Sequence, residues 1–242
     1  GNKVSVDERM VHDIVQKVMA NMQISGSVSG MHGVFKDMND AINASIEAQK
    51  KVCTMTLDQR EQIISLIRKK THENAEILAN MGVNETGMGN VGDKILKHHL
   101  TADKVPGTED ISTIAWSGDR GLTLVEMGPF GVIGAITPAT NPSETVICNC
   151  IGMLAGGNTV VFNPHPNAKK TTIYTINMIN EASIEAGGPD NIAVTVEAPT
   201  LDTSAIMMKH PSIHLLVATG GPGVVTAVLS SGKRAIGAGA GN

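Results

Sequence analysis

The chain has 242 residues with 41% hydrophobic content, enough to bury a substantial core as one large domain or two smaller ones. Nineteen basic and 23 acidic residues leave a net charge of -4 without long single-sign blocks, which argues against nucleic acid and anionic membrane as partners and for a small molecule or a protein. No run approaches the roughly 18 apolar residues of a membrane span, no secretory pattern opens the chain, and three cysteines, Cys53, Cys148 and Cys150, form neither a disulfide framework nor a zinc spacing. The expected compartment is the cytosol. With 2% aromatic residues and 13 methionines, the core must be filled mainly by aliphatic and thioether side chains.

In chain order, Val11, Ile14, Val15, Val18, Met19 and Met22 fall at i, i+3, i+4, i+7, i+8 and i+11, one apolar stripe on a helix over residues 6–22 within a first segment 1–24. Residues 25–32 follow as a linker rich in serine and glycine. A short amphipathic helix on such a linker either docks on its own subunit or is offered to a partner. From Gly33 to about Pro106 the pattern is helical throughout. Val34, Phe35, Met38, Ala41, Ile42 and Ile46 mark one helix; Ile63, Ile64, Ile67, Ile77, Leu78 and Met81 mark another, opened by a capping box from Thr56 to Gln59. His98-His99 gives no metal site, because adjacent residues do not share a helix face and no carboxylate sits at ligand spacing. Within residues 112–127, Ser117 to Gly121 joins two strands as a hairpin.

From Gly128 onward strands and helices alternate. Phe130 to Ile136 has the length and β-branched content of a buried strand. The polar turn Thr137-Pro138-Ala139-Thr140-Asn141-Pro142 follows it, with Ser143 and Glu144 as caps for a helix that Gly156-Gly157 stops. Strand Thr159 to Phe162 ends in Asn163-Pro164-His165-Pro166, and Asn167 is placed to cap the next helix. Strand Ala193 to Val196, helix Leu201 to Met208, strand His214 to Ala218, the turn Thr219-Gly220-Gly221-Pro222-Gly223, helix Val224 to Leu229 and a short strand Arg234 to Ala238 complete the series. This predicts an α/β fold, a doubly wound Rossmann-type parallel sheet with helices on both faces, whose ligands bind at the carboxyl ends of the strands. A glycine-rich turn between strand and helix admits a pyrophosphate to backbone N–H groups, though Gly221 to Thr226 matches only part of the GxGxxG pattern and a plain tight turn stays open. Asn141 is equally a turn former or a donor to an oxygen that becomes negative when a carbonyl is attacked.

The stretches GPFGVIGAITPATNP and NTVVFNPHP resemble the aldehyde dehydrogenase superfamily, and within it the coenzyme A-acylating propionaldehyde and acetaldehyde dehydrogenases of bacterial microcompartments. The resemblance runs from about Gly33 to Asn242. It implies an NAD-dependent oxidation of a short aldehyde, propanal or acetaldehyde, to acyl-CoA through a cysteine thioester, with coenzyme A as co-substrate. It assigns Asn141 as oxyanion donor, with Thr140 in that slot by an ungapped match to hydrolytic relatives. It places Thr137, Pro138, Ala139, Thr140, Asn163, Pro164, His165, Thr219, Gly220, Gly221 and Val224 against the cofactor. Hydrolytic members commonly carry lysine where this chain has Asn163, and present a general-base glutamate where this chain has Ala238. Without that base, a thiol can take the acyl group in place of water. The resemblance also implies a homo-oligomer, dimer or tetramer, built with the hairpin. It implies that residues 6–22 bind shell protein and direct the enzyme to a microcompartment lumen. In this family the nucleophilic cysteine follows the glycine-rich segment, so the chain to Asn242 is expected to carry the NAD-binding core, 33–111 and 128–242, without the catalytic domain. A hydrolytic aldehyde dehydrogenase and a non-catalytic module that docks on a shell are the two alternatives.

Overall fold

The computed structural model describes residues 30–239, together with Asp13 and Gln16, which are helical and exposed. The apolar stripe of the first helix therefore lies outside the described residues. Six parallel strands form one sheet: β1 (Val34–Phe35), β4 (Val132–Thr137), β5 (Thr159–Pro164), β6 (Ala193–Val196), β7 (Ile213–Thr219) and β8 (Arg234–Ala238), in the order β1-β6-β5-β4-β7-β8. A separate antiparallel pair, β2 (Ile114–Gly118) and β3 (Gly121–Val125), makes the hairpin.

Alternate residues of the parallel strands enter two cores, as a strand's period of two requires. On one face Val160, Phe162 and Ala193 pack with α4 (Pro142–Ala155) and α5 (Lys169–Glu185), covered in turn by the long helix α2 (Leu57–Thr86). On the other, Val161, Val194 and Val196 pack with α1 (Met38–Val52) and α6 (Leu201–Lys209), and Ala218 with α7 (Pro222–Leu229). Helix α3 (Val91–Lys104) lies against α2 and α4. This is the doubly wound α/β arrangement expected.

Three local expectations change. Val34 and Phe35 are a strand, not the first turn of a helix: they pair in parallel with Thr195 and Val196, and α1 starts only after Asp37, whose carboxylate accepts from the N–H groups of Asn39 and Asp40. Helix α4 starts at Pro142 rather than under a Ser143 cap, since a proline at the first helical position has no N–H to leave unpaired; the Ser143 hydroxyl is turned inward instead. Asn167 does not cap α5. Residues 166–168 form a 3₁₀ turn, and the N–H groups of Lys170 and Thr171 donate to the carboxylate of Glu85, which arrives from the end of α2. The capping box of α2, Thr56 with Gln59, is present in both its halves.

Candidate cofactor site at the switch point of the sheet

In the order β6-β5-β4-β7-β8, the chain leaves β4 toward β5 on one side, while β7 leads to β8 on the other. The adjacent strands β4 and β7 therefore send their connections apart and open a crevice at their carboxyl ends. The turns singled out by the sequence come to this one edge. Thr137 is in register with Pro164, and its carbonyl accepts from the His165 N–H at 3.0 Å; Thr219 is in register with Ala238, whose carbonyl accepts from the Gly220 N–H at 3.1 Å.

The turn after β4 is braced from below. Asn141 is the N-cap of α4, yet its side chain caps nothing; its Oδ1 lies 3.3 Å from Lys97 Nζ. That contact occupies the amide oxygen and leaves the amide NH2 as the end available to a ligand. Thr140 is exposed, Ala139 buried, and Pro138 half-buried. The Thr137 hydroxyl is buried and has no partner among the described residues, which a buried polar atom rarely tolerates unless something else fills the position.

Beneath the turn lies a buried polar network that hydropathy does not reveal. Lys94 is 3% exposed, donates to the Thr140 carbonyl at 2.8 Å and pairs with Glu144 at 3.3 Å. The spacing of Lys94 and His98, one helical turn, is the signal that could have found it. His98 is fully buried; its Nδ1 donates to the Lys94 carbonyl at 2.6 Å, so in the neutral ring Nε2 accepts from the Ser143 hydroxyl at 2.7 Å. Burial holds the His98 pKa below the ordinary imidazole value, opposed by the nearby Glu144 carboxylate. Its neighbour His99 faces outward and stacks on His72.

After β5, Asn163 is turned inward. Its Oδ1 accepts from the Thr203 hydroxyl at 2.6 Å and its Nδ2 donates to the Thr200 carbonyl at 3.3 Å, so the side chain ties β5 to the start of α6. Pro164 is buried as well, and His165 and Pro166 are the exposed residues of this turn. After β7, a Cβ added at Gly220, Gly221 or Gly223 would meet no atom within 4 Å. Helix α7 starts at Pro222 with no side-chain cap, and Val224 is exposed beside it. Its amino end is thus open to an anionic group. An unpartnered Thr137 hydroxyl, an uncapped helix end and open glycines along one crevice fit a dinucleotide.

None of the three cysteines belongs to the crevice as a ready nucleophile. Cys150 is 2% exposed, and burial raises its pKa strongly; Cys148 is raised for the same reason, opposed by a hydrogen bond with Thr101. Cys53 follows the last turn of α1 and donates to the Lys50 carbonyl. A separate groove of about 530 Å³ opens at the opposite, amino-terminal edge of the sheet, between Phe130, His214 and Arg234. The Lys233 ammonium there is spent on the carbonyls of His210 and Ile213.

The aldehyde dehydrogenase family model matches residues 13–238. The chain belongs to the aldehyde dehydrogenase family. Within the family, it is 45% identical to an acetaldehyde dehydrogenase (acetylating) of Bilophila wadsworthia, over 97% of this chain and 50% of that protein. Its fold is similar to that of a propionaldehyde dehydrogenase from the fucose utilisation microcompartment of Clostridium phytofermentans, with a TM-score of 0.86 and 73% identity over 87% of this chain and 48% of the other. It is also similar to a propionaldehyde dehydrogenase of Rhodopseudomonas palustris solved with bound coenzyme A and an acylated cysteine, with a TM-score of 0.84 and 50% identity over 87% and 48% of the two chains. The chain spans about half the length of the relatives it matches.

Proposed function

We propose that this chain is the dinucleotide-binding part of a coenzyme A-acylating aldehyde dehydrogenase that oxidises a short aliphatic aldehyde, propanal or acetaldehyde, to its acyl-CoA with NAD. The observation that carries the reading is the 73% identity to a microcompartment propionaldehyde dehydrogenase, in a chain whose strand-end turns converge on one crevice. Bound there, NAD supplies a hydride acceptor. The chain's own residues hold and orient it: the open amino end of α7 and the Thr219–Gly221 turn face its phosphates, and the Thr137–Thr140 turn meets it from the other wall. Asn141 supplies the donor for the carbonyl oxygen as charge develops on it, a contribution of about 3 kcal/mol in comparable sites. The reactive cysteine, by this reading, comes from sequence beyond these residues, because the thiols of Cys148 and Cys150 are held protonated by burial.

Ala238 ends β8 beside Thr219, where the hydrolytic pattern has its general-base glutamate. An alanine there cannot activate water, which favours acyl transfer to a thiol. The similarity to an enzyme of a fucose utilisation microcompartment supports a place in a microcompartment lumen, with residues 6–22 as the shell-binding peptide.

The test is to incubate the intact enzyme with propanal and NAD, with and without coenzyme A, and to identify the product by mass spectrometry. NADH formation that yields propanoyl-CoA only when coenzyme A is present is expected. Free propanoate formed at the same rate without coenzyme A would overturn the acylating reading, and absence of any turnover would overturn the enzymatic one.

A further inference from the structure

The face that α3 turns toward α4 carries two lysines three residues apart, Lys94 and Lys97, and each reaches a different part of the same turn. Lys94 Nζ is 2.8 Å from the Thr140 carbonyl oxygen and 3.3 Å from Glu144 Oε1, with both side chains of the pair almost wholly buried. A buried ion pair is often no more stable than apolar residues of the same volume, so the fold does not by itself call for this one. What the ammonium adds is a fixed orientation for the peptide group between Thr140 and Asn141. That group is planar and trans, so a carbonyl aimed at Lys94 sends the Asn141 N–H the opposite way, away from α3. Among the described residues that N–H has no acceptor. Lys97 takes the oxygen of the Asn141 side-chain amide at 3.3 Å and so leaves its NH2 free.

We propose that Lys94, locked by Glu144, is a positioning residue for the turn after β4: it fixes the Thr140–Asn141 peptide so that the backbone and side-chain donors of Asn141 both face the substrate carbonyl, with Lys97 selecting which end of the amide is presented. This rests on the proposed aldehyde oxidation in the crevice. Lys94 touches no reacting atom and acts only through Thr140 and Asn141.

The experiment compares the intact wild-type enzyme with Lys94→Met and with the double variant Lys94→Met/Glu144→Leu. The single variant strands a buried carboxylate and is expected to lose both melting temperature and turnover. The double variant removes both charges, and its melting temperature is expected to return to near the wild-type value. Its kcat for NADH formation stays depressed by about tenfold to a hundredfold while the dissociation constant for NAD changes by less than about twofold. Recovery of kcat together with melting temperature would make the pair merely structural and overturn the proposal. Should loss of the pair prevent folding, Lys94→Arg keeps a buried cation for Glu144 but cannot present the same single-point donor. It is expected to lower kcat at an unchanged melting temperature, and an unchanged kcat overturns the proposal.

If the wild-type enzyme oxidises no aldehyde, the functional reading fails on its own account. The proposal is then decided by the crystal structure of Lys94→Met/Glu144→Leu or, where that does not fold, of Lys94→Arg. A Thr140–Asn141 peptide turned from its wild-type direction upholds the positioning role, and an unmoved peptide refutes it.

Discussion

Glu85 and Thr171 lie 86 positions apart in sequence, yet the Glu85 carboxylate accepts from both the backbone N–H and the hydroxyl of Thr171 at 2.7 Å. Its other oxygen takes the Lys170 N–H at 2.7 Å. A carboxylate placed against the first N–H groups of a helix satisfies donors that have no intrahelical partner and meets the positive end of the dipole. Here the cap comes from another helix, so it also fixes α2 against α5. Replacing Glu85 with alanine is expected to cost about 2 kcal/mol, and glutamine to cost less because it keeps an acceptor. Urea unfolding of the three proteins measures this, and equal midpoints for wild type and Glu85→Ala would show that the cap contributes nothing.

The buried His98 predicts a pH dependence of stability. Burial depresses its folded-state pKa, while in the unfolded chain the imidazole takes up a proton at about pH 6.5. Between the two values the unfolded state binds the extra proton, so stability rises with pH across that window and is lost as pH falls from about 6.5 toward the folded-state value. The Glu144 carboxylate and the hydrogen bond to the Lys94 carbonyl favour the charged form of this ring, while the Lys94 ammonium and His99 oppose it. Protonation would also make Nε2 a donor and reverse its hydrogen bond with Ser143, whose hydroxyl would then accept from His98 and donate to Glu144 Oε2, 3.2 Å away. His98→Gln removes the titration and is expected to flatten the dependence of the urea midpoint between neutral and mildly acidic pH. An identical slope in the variant would exclude His98 as the source.

What could be read from the sequence follows from where its signals are local. The capping box at Thr56 and Gln59, the strand Ala193 to Val196 and the strand Arg234 to Ala238 are all as expected, because each is specified by neighbours within a few positions. The turns at the strand ends converge because alternating strands and helices allow few topologies. Helix α3 offered no apolar stripe: its inward face carries Lys94, His98 and Thr101, while Leu96 and Leu100 are 68% and 59% exposed, so its hydropathy is inverted. Val34 and Phe35 fit a helical stripe as well as a strand, and only pairing with β6, some 160 positions away, decides between them. Asn163 looked available to a ligand, and only the distant Thr203 shows that it is already engaged.

That pairing of β1 depends on one glycine. Gly33 has φ +77°, and its carbonyl accepts from the Thr195 N–H at 2.8 Å. A Cβ built there would stand 2.4 Å from the Ala193 carbonyl oxygen and 2.4 Å from Asn180 Nδ2. Gly33→Ala combines left-handed strain with a backbone clash and is expected to cost about 3 kcal/mol or more. Gly87, at φ +67° with nothing within 4 Å of its Cβ position, isolates the strain alone, and Gly87→Ala is expected to cost about 1 kcal/mol. Equal losses in the two variants would show that the close approach of Gly33 to β6 carries no weight.

The proposed shell-binding role of residues 6–22 gives a separable prediction. Ser25 to Gly30 is serine- and glycine-rich, so removing the preceding segment should not disturb the sheet that starts at Val34. Deletion of residues 6–22 is expected to abolish co-purification with microcompartment shells while aldehyde oxidation by the intact enzyme is kept. Undiminished co-purification would refute the targeting role, and lost activity with retained binding would assign the helix to the enzyme body.

The hairpin carries the last prediction. All ten residues of β2 and β3 are exposed, among them Ile114, Trp116, Leu122 and Leu124, the last three at 58% to 64%. A two-stranded ribbon is marginal in water, and the register puts Ile114, Trp116 and Val125 on one face and Leu122 and Leu124 on the other, so exposed apolar side chains on both faces mark an interface. Its free backbone edges add unpaired hydrogen-bonding groups that another chain can meet. We therefore propose that the hairpin is covered by a second copy of the chain. Replacing Trp116 and Leu124 together by aspartate places one charge on each face of the ribbon, where burial without a partner costs several kcal/mol, while leaving the core of the sheet untouched. Sedimentation of the intact enzyme is expected to shift from the oligomer to the monomer in the double variant, with the far-UV circular dichroism unchanged. An unchanged sedimentation coefficient would show that the hairpin faces something other than a second copy.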